Sequence, residues 1–292
     1  MPPPTRLARL DTPNVRRVLL AGGVLGLLLG IETLVLHLTT DPLADVHAYY
    51  DAGTRLNAGL PLYQQAADTN QADFYRYPPL LAIVFRPLAL LPFAAAAAIW
   101  ESVLIGLFVW TVIRLRPTRW TLVVLGMLAL PTAWSLAIGQ AQVAVTFLMA
   151  LGAPWALALA TNLKLFPVLA AIWWLGRRDG RSFGQFVAWL IGFGMVQLVL
   201  EPAGTLAFPG FVGLDQVGDV NNRSLYGFSP FVWSVAVVIG GVVAWRLART
   251  RYGWAAAVAL SVLATPRLLI YQLSTLAAGV REPDTTSRRP DG

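Results

Sequence analysis

Long apolar runs, broken by short clusters of Arg, Pro and Gly, organise this 292-residue chain. The first runs from Val18 to Leu38, close to the ~20 residues a helix needs to cross a bilayer. A polar stretch follows from Thr39 to Tyr77. Pro78 to Pro92 is apolar but holds Pro78, Pro79, Pro87 and Pro92. That pattern predicts an element lying at the interface or dipping in and returning. Phe93 to Ile113 and Trp120 to Ile138 each predict a full span. Gln140 to Gly176 is apolar but interrupted at Gly152, Pro154, Lys164 and Pro167, which predicts shorter, broken helices. Phe183 to Leu200 and Phe231 to Leu247 predict two more spans, with a second polar loop, Glu201 to Pro230, between them. Trp254 to Ala264 and Leu268 to Val280 predict two short apolar helices split by Thr265-Pro266-Arg267. The expectation is an all-α, polytopic transmembrane helix bundle of about eight to ten membrane helices, several short or broken. Residues 1–280 form a single membrane domain, and 281–292 a disordered cytoplasmic tail.

Composition agrees. Charged residues make up 13% of the chain and its mean hydropathy is +0.61, whereas a soluble domain carries ~25% charged residues. Cysteine is absent, which removes disulfides, thiolate metal sites and a cysteine nucleophile. His37 and His47 are the two histidines, and no carboxylate cluster has ligand-like spacing, so no metal is expected. The run Val18–Leu38 is longer than a signal-peptide core and no small-residue cleavage site follows it, so it reads as a retained span.

The net charge of +7 reads as topology, not nucleic-acid binding, because the cations sit at the ends of apolar runs. Five clusters hold most of the 22 Lys and Arg: Arg6/Arg9/Arg16/Arg17, Arg114/Arg116/Arg119, Arg177/Arg178/Arg181, Arg246/Arg249/Arg251 and Arg281/Arg288/Arg289. The segmentation places an even number of crossings between each pair of clusters. All five then face the cytoplasm, with both termini, and both long polar loops face outward. The remaining cations, Arg55, Arg76, Arg86, Lys164, Arg223 and Arg267, fall on the outer side or at helix breaks facing it. Lys164 is the one lysine and sits inside an apolar run, where an ionisable group marks function by default. Snorkelling to headgroups is the alternative for each arginine; as a group they favour an anionic ligand.

The first outer loop concentrates Asp41, Asp45, His47, Asp51, five tyrosines and Arg76. The second adds Asp215, Asp219, Asn221, Asn222, Arg223 and Tyr226. Aromatic rings beside hydrogen-bonding groups suit a sugar, and equally an interfacial aromatic belt. The order of short motifs resembles glycosyltransferase family 87. It reads Asp45, Tyr49-Tyr50-Asp51-Ala52-Gly53, Gly59-Leu60-Pro61-Leu62-Tyr63 and Tyr77-Pro78-Pro79. Gly139-Gln140, Leu163-Lys164-Leu165-Phe166-Pro167, Asn222-Arg223-Ser224-Leu225 and Thr265-Pro266-Arg267 with Tyr271 follow.

The resemblance implies a GT-C-like membrane enzyme. Its donor is a polyprenyl-phosphate sugar, commonly of mannose or arabinofuranose, and its acceptor a glycan or glycolipid, with chemistry on the extracytoplasmic side. Carried over, it makes Asp45 the catalytic carboxylate. Arg76, Lys164, Arg223 and Arg267 become candidates for the donor phosphate, and His47, Tyr49, Tyr50, Tyr77, Gln140 and Asn222 candidates for sugar or acceptor. No cofactor is implied beyond the lipid-linked co-substrate. A phosphate leaving group needs no general acid. One base and nearby positive charge suffice, without the paired carboxylates of a glycoside hydrolase. Departures are Gln142 where Asn is usual, Arg223 for Gln, Gln272 after Tyr271, and a short chain; they bear on acceptor choice and leave an inactive relative open. Asp41, Asp51 and His47 compete with Asp45 as base. Glu32 and Glu101, inside spans, read as packing groups. The competing function is a lipid or small-molecule transporter or flippase, which predicts internal repeats; the motifs each occur once.

Overall fold

The computed structural model describes residues 12–63, 74–211 and 222–283. Asp215, Asp219, Asn221, Arg6, Arg9, Arg288 and Arg289 lie outside them. Among the described residues the chain is an all-α bundle without strands. Four helices are long and apolar enough to cross a bilayer: α1 (Pro13–Thr40), α4 (Phe93–Arg114), α10 (Gly180–Leu200) and α13 (Pro230–Leu247). The sequence supplies their starts. Thr12 caps α1, Asp179 caps α10 and Ser229 caps α13, each accepting a hydrogen bond from a first-turn N–H. Most side chains in these helices are exposed, as residues facing lipid must be.

The expected span Trp120–Ile138 is instead a bent pair, α5 (Arg119–Met127) and α6 (Ala129–Ala137), turned by 58°. Pro131 has no N–H for the carbonyl of Met127, so the hydrogen-bond ladder breaks there. The pair lies along α1 because glycines let the backbones touch. A Cβ on Gly26 would stand 2.4 Å from the Gly126 carbonyl oxygen, the close approach that small residues allow between membrane helices.

Short helices make up the rest. They are α2 (Ala44–Asn57), α3 (Pro79–Leu88), α7 (Gln142–Leu151), α8 (Pro154–Leu163), α9 (Ile172–Arg177), α11 (Pro202–Phe211), α12 (Leu225–Phe228) and α14 (Gly253–Leu263). Thus both stretches expected as polar loops contain helix. Two 3₁₀ segments, Phe166–Ala171 and Ile270–Gly279, stand where proline follows Lys164 and where a short apolar α-helix was expected. The full-length spans number four, or five with the bent pair as one, and short apolar helices account for the rest of the expected eight to ten.

The bundle has two distinct ends. At one, the basic clusters are stitched together. Arg281 donates to the Arg114 carbonyl at 2.9 Å, Arg114 to the Ala150 carbonyl at 3.3 Å, Arg249 to the Gly176 carbonyl at 3.1 Å, and Arg177 pairs with Glu282 at 3.1 Å. The start of the expected disordered tail, Arg281–Pro283, is therefore ordered, because it closes this end; the tail beyond lies outside the described residues. The 22 residues of α4, about 33 Å of helix, separate Arg114 from Phe93, which packs on α2 at the other end. The core between the ends gathers α2, α3, α7 and α8 around Tyr49, Phe85, Trp100, Trp174 and Trp254.

Candidate active site

Asp45 enters the bundle on the first turn of α2. Pro42 and a left-handed Leu43 (φ 59°) reverse the chain after α1. The N–H groups of Leu43 and Asp45 then bond the carbonyls of Ala137 and Ile138 at 3.1 and 3.0 Å. The carboxylate thus sits at a helix N-terminus locked to the end of α6. Its Oδ1 accepts the Tyr77 hydroxyl at 3.0 Å, and Gln140 Nε2 donates to that hydroxyl oxygen at 2.9 Å. Tyr49 donates to Gln140 Oε1 at 2.6 Å and accepts from Ala141 N–H at 3.2 Å. Tyr49 and Gln140 are both 0% exposed. They hold Tyr77 and Asp45 from behind and are placed to position, not to touch, a ligand.

Gly139 makes this possible. Its φ is +68°, and a Cβ there would stand 2.1 Å from Val46 Cγ2. Only glycine lets the loop between α6 and α7 press onto α2. Trp100 donates to the Gly139 carbonyl at 2.8 Å and fixes the loop from α4.

The Tyr-Arg-Tyr-Pro-Pro run solves a backbone problem. Prolines at the start of α3 need no partners, while Leu80 N–H finds Gln197 Oε1 at 3.0 Å and Ala82 N–H finds the Tyr75 hydroxyl at 2.9 Å. Gln197 also donates to Asn162 at 2.6 Å, tying α3 to α10 and α8. This sets Arg76 and Tyr77 between the α3 start and Asp45. Arg76 lies 4.9 Å from the Phe74 ring centroid, and its charge acts on Asp45.

Lys164 ends α8 in an extended conformation, the geometry that the Leu-Lys-Leu-Phe-Pro break allows. Its Nζ donates to Gln142 Oε1 at 2.8 Å. It also stands over the rings of Tyr77 and Tyr271, at 5.2 and 5.0 Å from their centroids. Gln142 is itself held by Nε2 donating to Thr275 at 2.6 Å. The charges of Lys164 and Arg76 act on Asp45, and that of Arg267 on both Lys164 and Arg76. Burial nevertheless dominates at Asp45, raising its pKa to about 6 against the opposing pull of Lys164, the Tyr77 hydrogen bond, Arg76 and Gln140.

Two distant motifs prove to be one unit. Asn222 donates to the Pro266 carbonyl at 2.9 Å and accepts from Leu268 and Ser224 N–H at 3.0 and 2.9 Å. Ser224 Oγ donates to the same Pro266 carbonyl, and Arg223 N–H to the Leu268 carbonyl at 2.7 Å. Asn222 therefore clamps the turn that presents Arg267. The Arg223 side chain is exposed and contributes its backbone to the clamp.

Two expected ligand contacts are occupied elsewhere. His47 is exposed and stacks on Phe93 at 3.8 Å. Tyr50 bonds the Leu91 carbonyl at 2.8 Å and packs edge-on against the same ring. Both fasten α2 to the α3–α4 connection. Gln142, Gln197, Tyr75 and Thr275 were not among the expected site residues; of these only Gln142, two positions past the Gly139-Gln140 motif, carried a sequence signal. Among the rival bases, Asp41 is taken by His37 at 2.7 Å, and Asp51 is exposed on α2.

The model of Glycosyltransferase family 87 matches residues 74–271. A curated relative from Mycolicibacterium smegmatis (strain ATCC 700084 / mc(2)155) is named polyprenol-phosphate-mannose-dependent alpha-(1-2)-phosphatidylinositol pentamannoside mannosyltransferase. It is 31% identical over 157 aligned positions, covering 46% of this chain and 38% of the relative. The chain thus spans well under two thirds of that relative's length. No solved structure matches. The family match begins after Asp45 and takes in Arg76, Tyr77, Gln140, Lys164, Asn222 and Arg267.

Proposed function

The chain belongs to glycosyltransferase family 87, and from that premise we propose that it moves a hexosyl unit, mannosyl by first preference, from a polyprenyl-phosphate donor to a glycan or glycolipid acceptor. The observation that carries this reading is the meeting of one carboxylate with three cations. Asp45 faces the charges of Lys164 and Arg76, and Arg267 stands within reach of both cations.

In the reaction proposed, an acceptor hydroxyl oxygen attacks the anomeric carbon of the donor. The bond from that carbon to the phosphate oxygen breaks. The hydroxyl proton passes to Asp45, and polyprenyl phosphate leaves with the bonding electron pair. Lys164, Arg76 and Arg267 meet the charge that develops on the phosphate, which is where preorganised positive charge lowers a barrier most. Tyr77 aims the carboxylate, and its ring bears on the space beside Lys164. Asn222 serves through the Arg267 turn. The clustered arginines at the far end of α4 support a cytoplasmic placement of that end and an extracytoplasmic site.

The test is direct. Purified protein in detergent, given polyprenyl-phosphate mannose labelled in the sugar and a mannosylated phosphoinositide, is expected to release polyprenyl phosphate and label the acceptor. Lipid movement across reconstituted vesicles with no sugar transfer would overturn the reading in favour of a transporter.

A further inference from the structure

The two carboxyls placed inside spans, Glu32 and Glu101, turn opposite ways. Glu101 on α4 turns inward, as intramembrane acids do: its Oε1 is buried and stands 2.6 Å from where a Cβ on Gly139 would lie. Glu32 on α1 turns outward. It is exposed and pairs with no described side chain, although it lies within the apolar run Val18–Leu38. Leu38 is about 9 Å further along the helix and Val18 about 21 Å back. Snorkelling does not rescue the carboxyl. Each Cα–Cβ bond tilts toward the helix N-terminus, so this short side chain leans away from the nearer boundary and into the hydrocarbon. An acid there is costly unless something hydrogen-bonds it.

The rest of α1 shows where its partner sits. One face is spent within the chain, where Gly23, Gly26 and Gly30 press onto Val123, Gly126 and Ala129 of α5 and α6. The opposite face is bare. Val18, Ala21, Leu25, Leu28, Glu32 and Val35 recur at intervals of three and four residues, and all are exposed. This is the 3.5-residue period of one helix wound on another, with a single polar residue on the seam, a device that fixes register. Acyl chains could cover the apolar members, but they offer Glu32 no hydrogen bond. Polar contacts of this kind hold membrane helices together where lipid removes the hydrophobic drive.

We propose that this face of α1 docks on the α1 of a second copy of the chain, with the two Glu32 side chains meeting. Copies in one membrane share an orientation, so a two-fold axis along the bilayer normal sets each seam residue opposite itself at the same depth. A carboxylic acid suits that symmetry because it is donor and acceptor together: the O–H of one donates to the carbonyl oxygen of the other. The contact needs no sugar transfer and would persist in an inactive chain.

The chain has no cysteine, so single thiols map the contact in membranes holding the full chain. Oxidation is expected to cross-link Leu28→Cys and Val35→Cys into dimers at least ten-fold more than Leu27→Cys and Leu38→Cys, which are also exposed but sit off the seam. Light scattering of the detergent-purified protein is expected to give two chains for the parent and for Glu32→Gln, whose amide again both donates and accepts. Glu32→Leu is expected to give one chain, with helix content by circular dichroism unchanged. Equal cross-linking on and off the seam would overturn the contact, as would a Glu32→Leu protein as dimeric as the parent. A photoreactive maleimide on the seam thiols separates the other occupants. Label on a different protein and none on a second copy would overturn the proposal in favour of a partner helix carrying a cation at this depth; label on lipid alone would overturn any protein contact there.

Discussion

Asp45, the proposed base, is a carboxyl held above its ordinary range. Burial brings its pKa to about 6, so the carboxylate is ionised at neutral pH yet close enough to that pH to take a proton readily. The sign of the pH dependence follows. Below about pH 6 the carboxyl is protonated and cannot act as base. kcat/KM measured across pH 4.5–8 is therefore expected to fall on the acid side, approaching ten-fold per unit. The Tyr77 hydrogen bond favours the ionised form. Tyr77→Phe is accordingly expected to move the acid limb to higher pH, whereas a merely structural tyrosine would lower the rate at all pH values alike. Lys164 was legible in the sequence as a lone lysine in an apolar run, whereas Asp45 was set apart from Asp41 and Asp51 by the family resemblance. The partners that orient them were not legible. Tyr49 and Gln140 are 91 positions apart, and nothing in either neighbourhood announces the pairing.

Among the elements, breaks matter more than spans. Each long helix could be read from its apolar run, which is a local signal. The 58° bend between α5 and α6 was missed because an apolar run containing one proline reads much like a straight span. The clamp from Asn222 onto Pro266 could not be read either; it joins motifs 44 positions apart through backbone carbonyls that carry no residue signature. His47 and Tyr50 lie on another face of α2 from Asp45. On a 3.6-residue helix they face Phe93, while Asp45 and Tyr49, four apart, share the inner face. Gly139 tests the packing of these elements. Gly139→Ala adds a Cβ 2.1 Å from Val46 at a φ of +68°. Left-handed strain and overpacking together predict a loss of about 2–5 kcal/mol, read as a lower apparent melting temperature in detergent. Gly106→Ala on α4, where nothing lies within 4 Å, is expected to be near neutral.

Across the whole molecule, the two ends carry different chemistry. One is fastened by arginines, and the other joins a carboxylate to three cations along helix breaks, where irregular backbone is tolerated because it lines a cavity. The chain has no cysteine, so a single introduced thiol reports its side of the membrane without background. In intact cells a membrane-impermeant maleimide is expected to label Leu60→Cys and spare Thr250→Cys; the opposite pattern would invert the proposed orientation. The central claim is that Asp45 takes the acceptor proton, and the most direct measurement is the rate of polyprenyl phosphate release by Asp45→Asn beside Asp41→Asn and Asp51→Asn. Asp45→Asn alone is expected to lose about 10²–10⁴-fold, with an unchanged melting profile. An Asp45→Asn protein that turns over within a few fold of the parent would contradict that claim.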